Sequence, residues 1–170
     1  MQNYQLLVWL LPIVFMLHDF EEIIFMENWF SHNREKLLKR VPKLAPKILN
    51  HTDQLTTARI ALGVACMFLL VVSVTLISVV SGVYYVWLAG FIVFSIHLFV
   101  HIAQSLVLRS YVPAVVTSIL ALPYSIWGIT ALIQTNVFAP IDYLWCTGVG
   151  ILTTGIYLYA VHQLMTRVKL

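Results

Sequence analysis

Ala61-Leu62-Gly63-Val64-Ala65-Cys66-Met67-Phe68-Leu69-Leu70-Val71-Val72-Ser73-Val74-Thr75-Leu76-Ile77-Ser78-Val79-Val80 is a run of twenty residues without one charge. With a rise of about 1.5 Å per residue, about 20 such residues cross the roughly 30 Å hydrocarbon core of a bilayer. This run is most of a predicted span at Ala58–Val80, and four other stretches read the same way: Tyr4–Phe30, Val83–Leu108, Tyr111–Gln134 and Ile141–Leu164. The composition agrees. Of 170 residues, 61% are hydrophobic and 10% charged, and the mean hydropathy is +0.89. A soluble domain carries roughly 25% charged and 45–50% apolar residues. A soluble enzyme, a disordered chain and a nucleic-acid-binding module are excluded on that ground. The expected fold is all-α: a polytopic membrane bundle of five transmembrane helices, forming a single membrane domain over residues 1–170.

Between the first two spans lies the one long polar stretch, Ser31–Thr57, where Pro42 and Pro46 break any helix into short interfacial pieces. Seven of the ten Lys and Arg fall between Arg34 and Arg59, and the rest are Arg109, Arg167 and Lys169. Basic residues gather on the cytoplasmic side of membrane proteins. Five crossings with the N-terminus outside place all ten there, so the 31–57 loop and the C-terminus are expected to be cytoplasmic. The first apolar stretch lacks a basic leader and a small-residue cleavage site, so it reads as a span rather than a cleavable signal. Cys66 and Cys146 lie in apolar runs and read as buried thiols.

Ionisable groups at bilayer depth are costly and mark function. The first span carries His18-Asp19-Phe20-Glu21-Glu22 near its middle. At about 100° per residue, Glu22 stands about 40° from His18 and Glu21 about 60° to the other side, with Asp19 at the edge of that face. The third span carries His97 and His101, spaced four apart as helical metal ligands often are, with Gln104 on the same stripe. His18 lies fourteen residues after Tyr4, and His97 fourteen residues after Val83. Both spans run the same way, so the two clusters are expected at one depth and facing each other. In the fifth span Gly148, Gly155 and His162 recur every seven residues, predicting a seam for close helix approach and making His162 a further candidate. His32 and His51 read as solvated, Glu27 as an interfacial charge, and Trp9, Trp29, Tyr84, Tyr85, Tyr143 and Trp145 as interface anchors.

His18-Asp19-Phe20-Glu21-Glu22 resembles the signature of the HXXEE family of small bacterial and archaeal membrane proteins. The stretch from His101 through Arg109-Ser110-Tyr111-Val112-Pro113 to Thr117 is similar to that family's second region, with Ala114 standing where Gly is expected. The resemblance implies His18, Glu21 and Glu22 as the naming residues and a prokaryotic cytoplasmic membrane as the location. It implies no reaction, because the family has no settled activity. The Glu-Glu-x-x-x-Arg pattern of CAAX-type proteases fails, since Met26 occupies the Arg position, and the HExxH motif of zinc proteases is absent.

The residues point to a divalent transition metal, zinc or iron, as one or two ions held by His18, His97, His101 and a carboxylate from Glu21 or Glu22. The spare glutamate would serve as general base, which makes Glu21 and Glu22 the catalytic candidates. Asp19, Gln104 and His162 are possible additional site residues. A metal-dependent intramembrane hydrolase is favoured over an oxygenase, acting on a lipid-like or amphipathic substrate met within the membrane lipids. The alternatives are a proton-coupled small-molecule transporter titrating His18, Glu21 and Glu22, and a haem-binding membrane protein.

Overall fold

The computed structural model describes residues 2–52 and 55–168. Among the described residues the secondary structure is all α-helix: α1 (Gln2–Arg40), α2 (Ala45–Thr52), α3 (Thr57–Ser81), α4 (Tyr85–Leu108), α5 (Val115–Gln134) and α6 (Pro140–Arg167). Four of these, α3 to α6, are long and apolar enough to cross a membrane. Helix α1, which carries Asp19, Glu21, Glu22 and Glu27, is not among the four.

Helix boundaries follow local chemistry. Helix α1 continues past the expected end at Phe30 and stops at Arg40, two residues before Pro42. Residues preceding a proline are driven out of the α region, which ends the helix there. The short α2 that follows, with Pro46 in its first turn, is the kind of piece the loop composition predicts. Gly82, at φ 72°, closes α3 in a left-handed backbone that costs glycine nothing. The start of α5 is later than the expected Tyr111. Arg109 (φ 48°) and Ala114 (φ 72°) both take left-handed backbones, so residues 109–114 form a turn and the helix begins at Val115.

Helix α4 is the hub and touches α1, α3, α5 and α6. In lipid, apolar burial brings no hydrophobic gain, so packing and interhelical hydrogen bonds hold such bundles together. Both are present around α4. Phe91 of α4 meets Tyr124 of α5 edge-on, with ring centroids 5.5 Å apart. Trp87 Nε1 donates to the Val8 carbonyl at 3.3 Å, and the Tyr124 hydroxyl donates to the Leu7 carbonyl at 2.8 Å. Close approach needs missing side chains. A Cβ on Gly128 would stand 2.4 Å from Phe91 Cζ, and one on Gly150 would stand 3.0 Å from the Ala89 carbonyl oxygen.

Two expectations change here. Gly148 and Gly155 meet nothing within 4 Å, so these two glycines of the predicted seam face away from the bundle while His162 lines the cleft between α1, α3, α4 and α6, and Gly150 is the glycine at the α4–α6 contact. The reason is register: Gly150 is two residues from Gly148, about 200° around the helix. Trp29 is also no interface anchor. It is buried with Leu37, Ala45, Leu49, Leu108 and Val112, and its Nε1 donates to the Tyr111 carbonyl at 2.8 Å. This second core ties the far end of α1 to α2 and to the end of α4.

Candidate metal centre

His18 and Glu22 on α1 meet His97 and His101 on α4, and one ligand atom from each lies within 4.8 Å of the other three. The two clusters expected to face each other therefore meet in the fold. His101 Nε2 is 3.0 Å from Glu22 Oε1 and 3.0 Å from His97 Nε2, and His97 Nε2 is 3.9 Å from the same Glu22 oxygen. The His18 ring centroid lies 5.3 Å from each of the other two imidazoles. Ligands on a tetrahedron about 2.0–2.1 Å from zinc stand about 3.3 Å apart. The observed separations bracket that value, so the group could hold a metal ion, although the spacing does not select which one.

Burial is graded across the group. His18 is 1% exposed and His101 5%, whereas the His97 side chain is 41% exposed. His97 is thus the face on which something could approach. It borders a cleft of about 1390 Å³ between α1, α3, α4 and α6, lined by apolar side chains such as Phe15, Met67, Val74 and Val93. Asp19, Glu22 and His97 supply the polar patch of its wall on this side.

The two glutamates part company. Expected in the same ligand set, Glu21 turns instead to the start of α5. Its Oε2 accepts from the Thr117 backbone N–H at 2.8 Å and from the Thr117 hydroxyl at 2.6 Å, and its Oε1 accepts from the Tyr111 hydroxyl at 2.8 Å. The first N–H groups of a helix lack partners and are commonly capped by a side chain at the N-cap. Ala114 occupies that position and has no acceptor, so Glu21 caps α5 from another helix. The carboxylate is thereby committed, and it is not placed to ligate or to take up a proton in the cleft. Tyr111 lies in the turn outside the helices, where burial first and the Glu21 carboxylate second push its phenol well above the usual tyrosine range. It stays a neutral donor.

Thr117 joins the two halves. Its Oγ1 is 3.2 Å from His18 Nδ1, which leaves Nε2 of His18, a buried atom without a hydrogen-bond partner, for the ligand group. Asp19 is 5% exposed, and its Oδ1, also unpartnered, lies 3.9 Å from His18 Nε2. Of the other expected site residues, Gln104 is exposed and outside the group, and His162 lines the cleft without joining the four. His32 is exposed, its Nδ1 beside the Asn28 carbonyl at 2.8 Å, and the His51 side chain lies outside the described residues. Glu27 is more than an interfacial charge: its carboxylate accepts from the N–H and hydroxyl of Thr57 and caps α3. Thr117, which closes the stretch similar to the family's second region, carries one physical signal, a hydroxyl in the first turn of a helix whose N-cap residue cannot cap.

No curated protein and no solved structure matches the chain. A family model does, the one described as a protein of unknown function with HXXEE motif, over residues 9–128. That stretch includes His18, Asp19, Glu21, Glu22, His97, His101, Tyr111 and Thr117, and it ends before His162. With that match over more than half of its length, the chain belongs to the HXXEE family.

Proposed function

We propose that the protein is a metal-dependent membrane enzyme whose centre is His18, Glu22, His97 and His101. The observation that carries this reading is the convergence of three imidazoles and one carboxylate, all within 4.8 Å, with Glu22 and His97 of the four opening on a largely apolar cleft. Zinc and iron both suit imidazole with carboxylate. Such an ion supplies Lewis acidity toward a carbonyl or phosphoryl oxygen. Around it, the half-exposed His97 marks the approach side, and Asp19 is the carboxylate left facing the cleft once Glu21 is committed to α5. Asp19 then takes the general-base role. The substrate is lipid-like or amphipathic, its apolar part lying along the Val, Met and Phe wall and its polar part reaching the cluster. Hydrolysis is favoured over oxygenation, since it requires only a polarised carbonyl or phosphoryl group, a water as nucleophile and a base to take that water's proton.

In this reading α1 is a fifth crossing. Its outward residues Leu6, Trp9, Ile13, Leu17, Phe20 and Ile24 are all exposed and recur at spacings of three and four, a lipid-facing stripe opposite the buried acids. The N-terminus is outside and the 31–57 segment cytoplasmic, because that orientation gathers the basic residues on the inner side of a prokaryotic cytoplasmic membrane. A porphyrin fits poorly, since imidazole centroids 4.4 and 5.3 Å apart leave no slot for it.

Elemental analysis of detergent-purified protein, wild type beside His18→Ala, tests the centre. About one equivalent of zinc or iron in wild type, lost in the variant, is the expected result. A wild type that stays metal-free after reconstitution with either ion overturns the enzyme reading and leaves proton-coupled transport through Asp19 and Glu22.

A further inference from the structure

We propose that Glu21 is a positioning residue that, through the Thr117 hydroxyl, holds His18 in the tautomer bearing its proton on Nδ1. The proposal follows from counting hydrogens. An ionised carboxylate can only accept, and a threonine hydroxyl has one hydrogen to give. Thr117 Oγ1 lies 2.6 Å from Glu21 Oε2, against 3.2 Å to the His18 carbonyl and 3.3 Å to the Ala114 carbonyl. The shortest of these is also the charge-assisted one, so the hydroxyl hydrogen goes to Glu21. Thr117 Oγ1 then faces His18 Nδ1, 3.2 Å away, with lone pairs only. For that contact to be attractive, His18 Nδ1 must carry the proton. A neutral imidazole has a single N–H, so Nε2 is left with its lone pair.

That outcome matters because Nε2 is the nitrogen available to the ligand group. The opposite tautomer would put a hydrogen into the space shared with His97 and His101. Metal-ligating histidines are commonly oriented through their second nitrogen by a carboxylate. Here the same job is done with a hydroxyl inserted between carboxylate and ring. The Tyr111 hydroxyl and the Thr117 N–H hold the carboxylate still, since their bonds of 2.8 Å each occupy one Glu21 oxygen. Glu22 faces α4, while Glu21, one residue before it and facing α5, orients. The tautomer stands on geometry alone, and only its benefit to metal binding rests on the proposed metal centre.

The test uses full-length protein in detergent, with two readouts. Nitrogen-15 NMR of metal-free protein reports the His18 tautomer, and zinc titration against a chelator reports affinity. Wild type and Thr117→Ser are expected to show protonated Nδ1. Thr117→Val, which keeps the backbone N–H to Glu21 and so the cap on α5, is expected to lose that preference and to bind zinc 10–100-fold more weakly. Glu21→Gln, a second variant of unchanged shape, is expected to shift the tautomer in the same direction. A protonated Nε2 in wild type, or an unchanged His18 tautomer in both Thr117→Val and Glu21→Gln, overturns the proposal even if zinc binds. Wild type that shows the Nδ1 tautomer but takes no zinc leaves the proposal standing and removes the metal centre instead.

Discussion

Removing His101 should destabilise the metal-free protein, and removing Glu22 as well should restore part of the loss. His101 Nε2 sits 3.0 Å from Glu22 Oε1, with the two side chains 6% and 16% exposed. Breaking a buried pair by deleting one partner costs about 3–5 kcal/mol, because the survivor is stranded away from water. With Glu22 partly open to the cleft, the lower figure applies, about 3 kcal/mol for His101→Ala. In a chain of this size each kcal/mol moves the midpoint by roughly 2–4 °C, so the single variant should melt about 6–12 °C below wild type. His101→Ala/Glu22→Ala should lie well above the sum of the single losses, a coupling of about 1–3 kcal/mol. Zinc adds a second arm. At 100 times Kd a ligand that binds only the folded state adds about 2.7 kcal/mol, which is roughly 5–11 °C in wild type and nothing in either variant. The assay is thermal unfolding in detergent, followed by tryptophan fluorescence. Additive single losses would refute the pairing, and an equal zinc shift in His101→Ala would remove α4 from the ligand set.

Other outcomes can be checked in the same format. Gly150→Ala should lower the midpoint, an overpacking cost of about 1–3 kcal/mol, while Gly148→Ala should stay within about 0.5 kcal/mol of wild type. Equal effects would show that the α4–α6 contact lies elsewhere. Ala114→Gly should leave the midpoint unchanged or raise it by up to about 1 kcal/mol, since the left-handed backbone costs alanine about 1–2 kcal/mol and glycine's extra freedom returns part of it. A clear fall would argue against φ 72° at that position. Asp19→Asn should keep its metal, measured by elemental analysis, while turnover of a long-chain ester falls by about 10²–10⁴, the range of a lost acid–base group. Metal loss in that variant would make Asp19 a ligand instead.

Much of this architecture can be read from the chain. Uncharged runs twenty residues long mark α3 to α6, and equal depth with a spacing of four brings His97 and His101 to His18. The roles of Glu21 and Glu22 cannot be read the same way. They flank His18 at similar angles, so the helix treats them alike, and the neighbours decide. Helix α4 offers imidazoles on one side, while α5 offers uncapped N–H groups on the other. The capping need arises from Ala114, about ninety residues away, and no local pattern around Glu21 announces it. The glycine seam failed for a related reason. Periodicity finds a stripe of small residues, but which stripe meets a neighbour depends on where that neighbour stands.

Helix α1 caps two others with its own side chains, α5 through Glu21 and α3 through Glu27. It therefore works as a ruler as well as a wall. Six residues separate the marks, about 9 Å along the axis, and that interval sets the stagger between the starts of α3 and α5. Adding one residue between Glu22 and Glu27 would swing the second mark by about 100° and cost either α5 its Glu21 cap or α3 its Glu27 contacts, α3 then keeping only the Thr56 hydroxyl on the Arg59 N–H. Within these few turns of α1, spacing is as much a part of the protein's chemistry as residue identity.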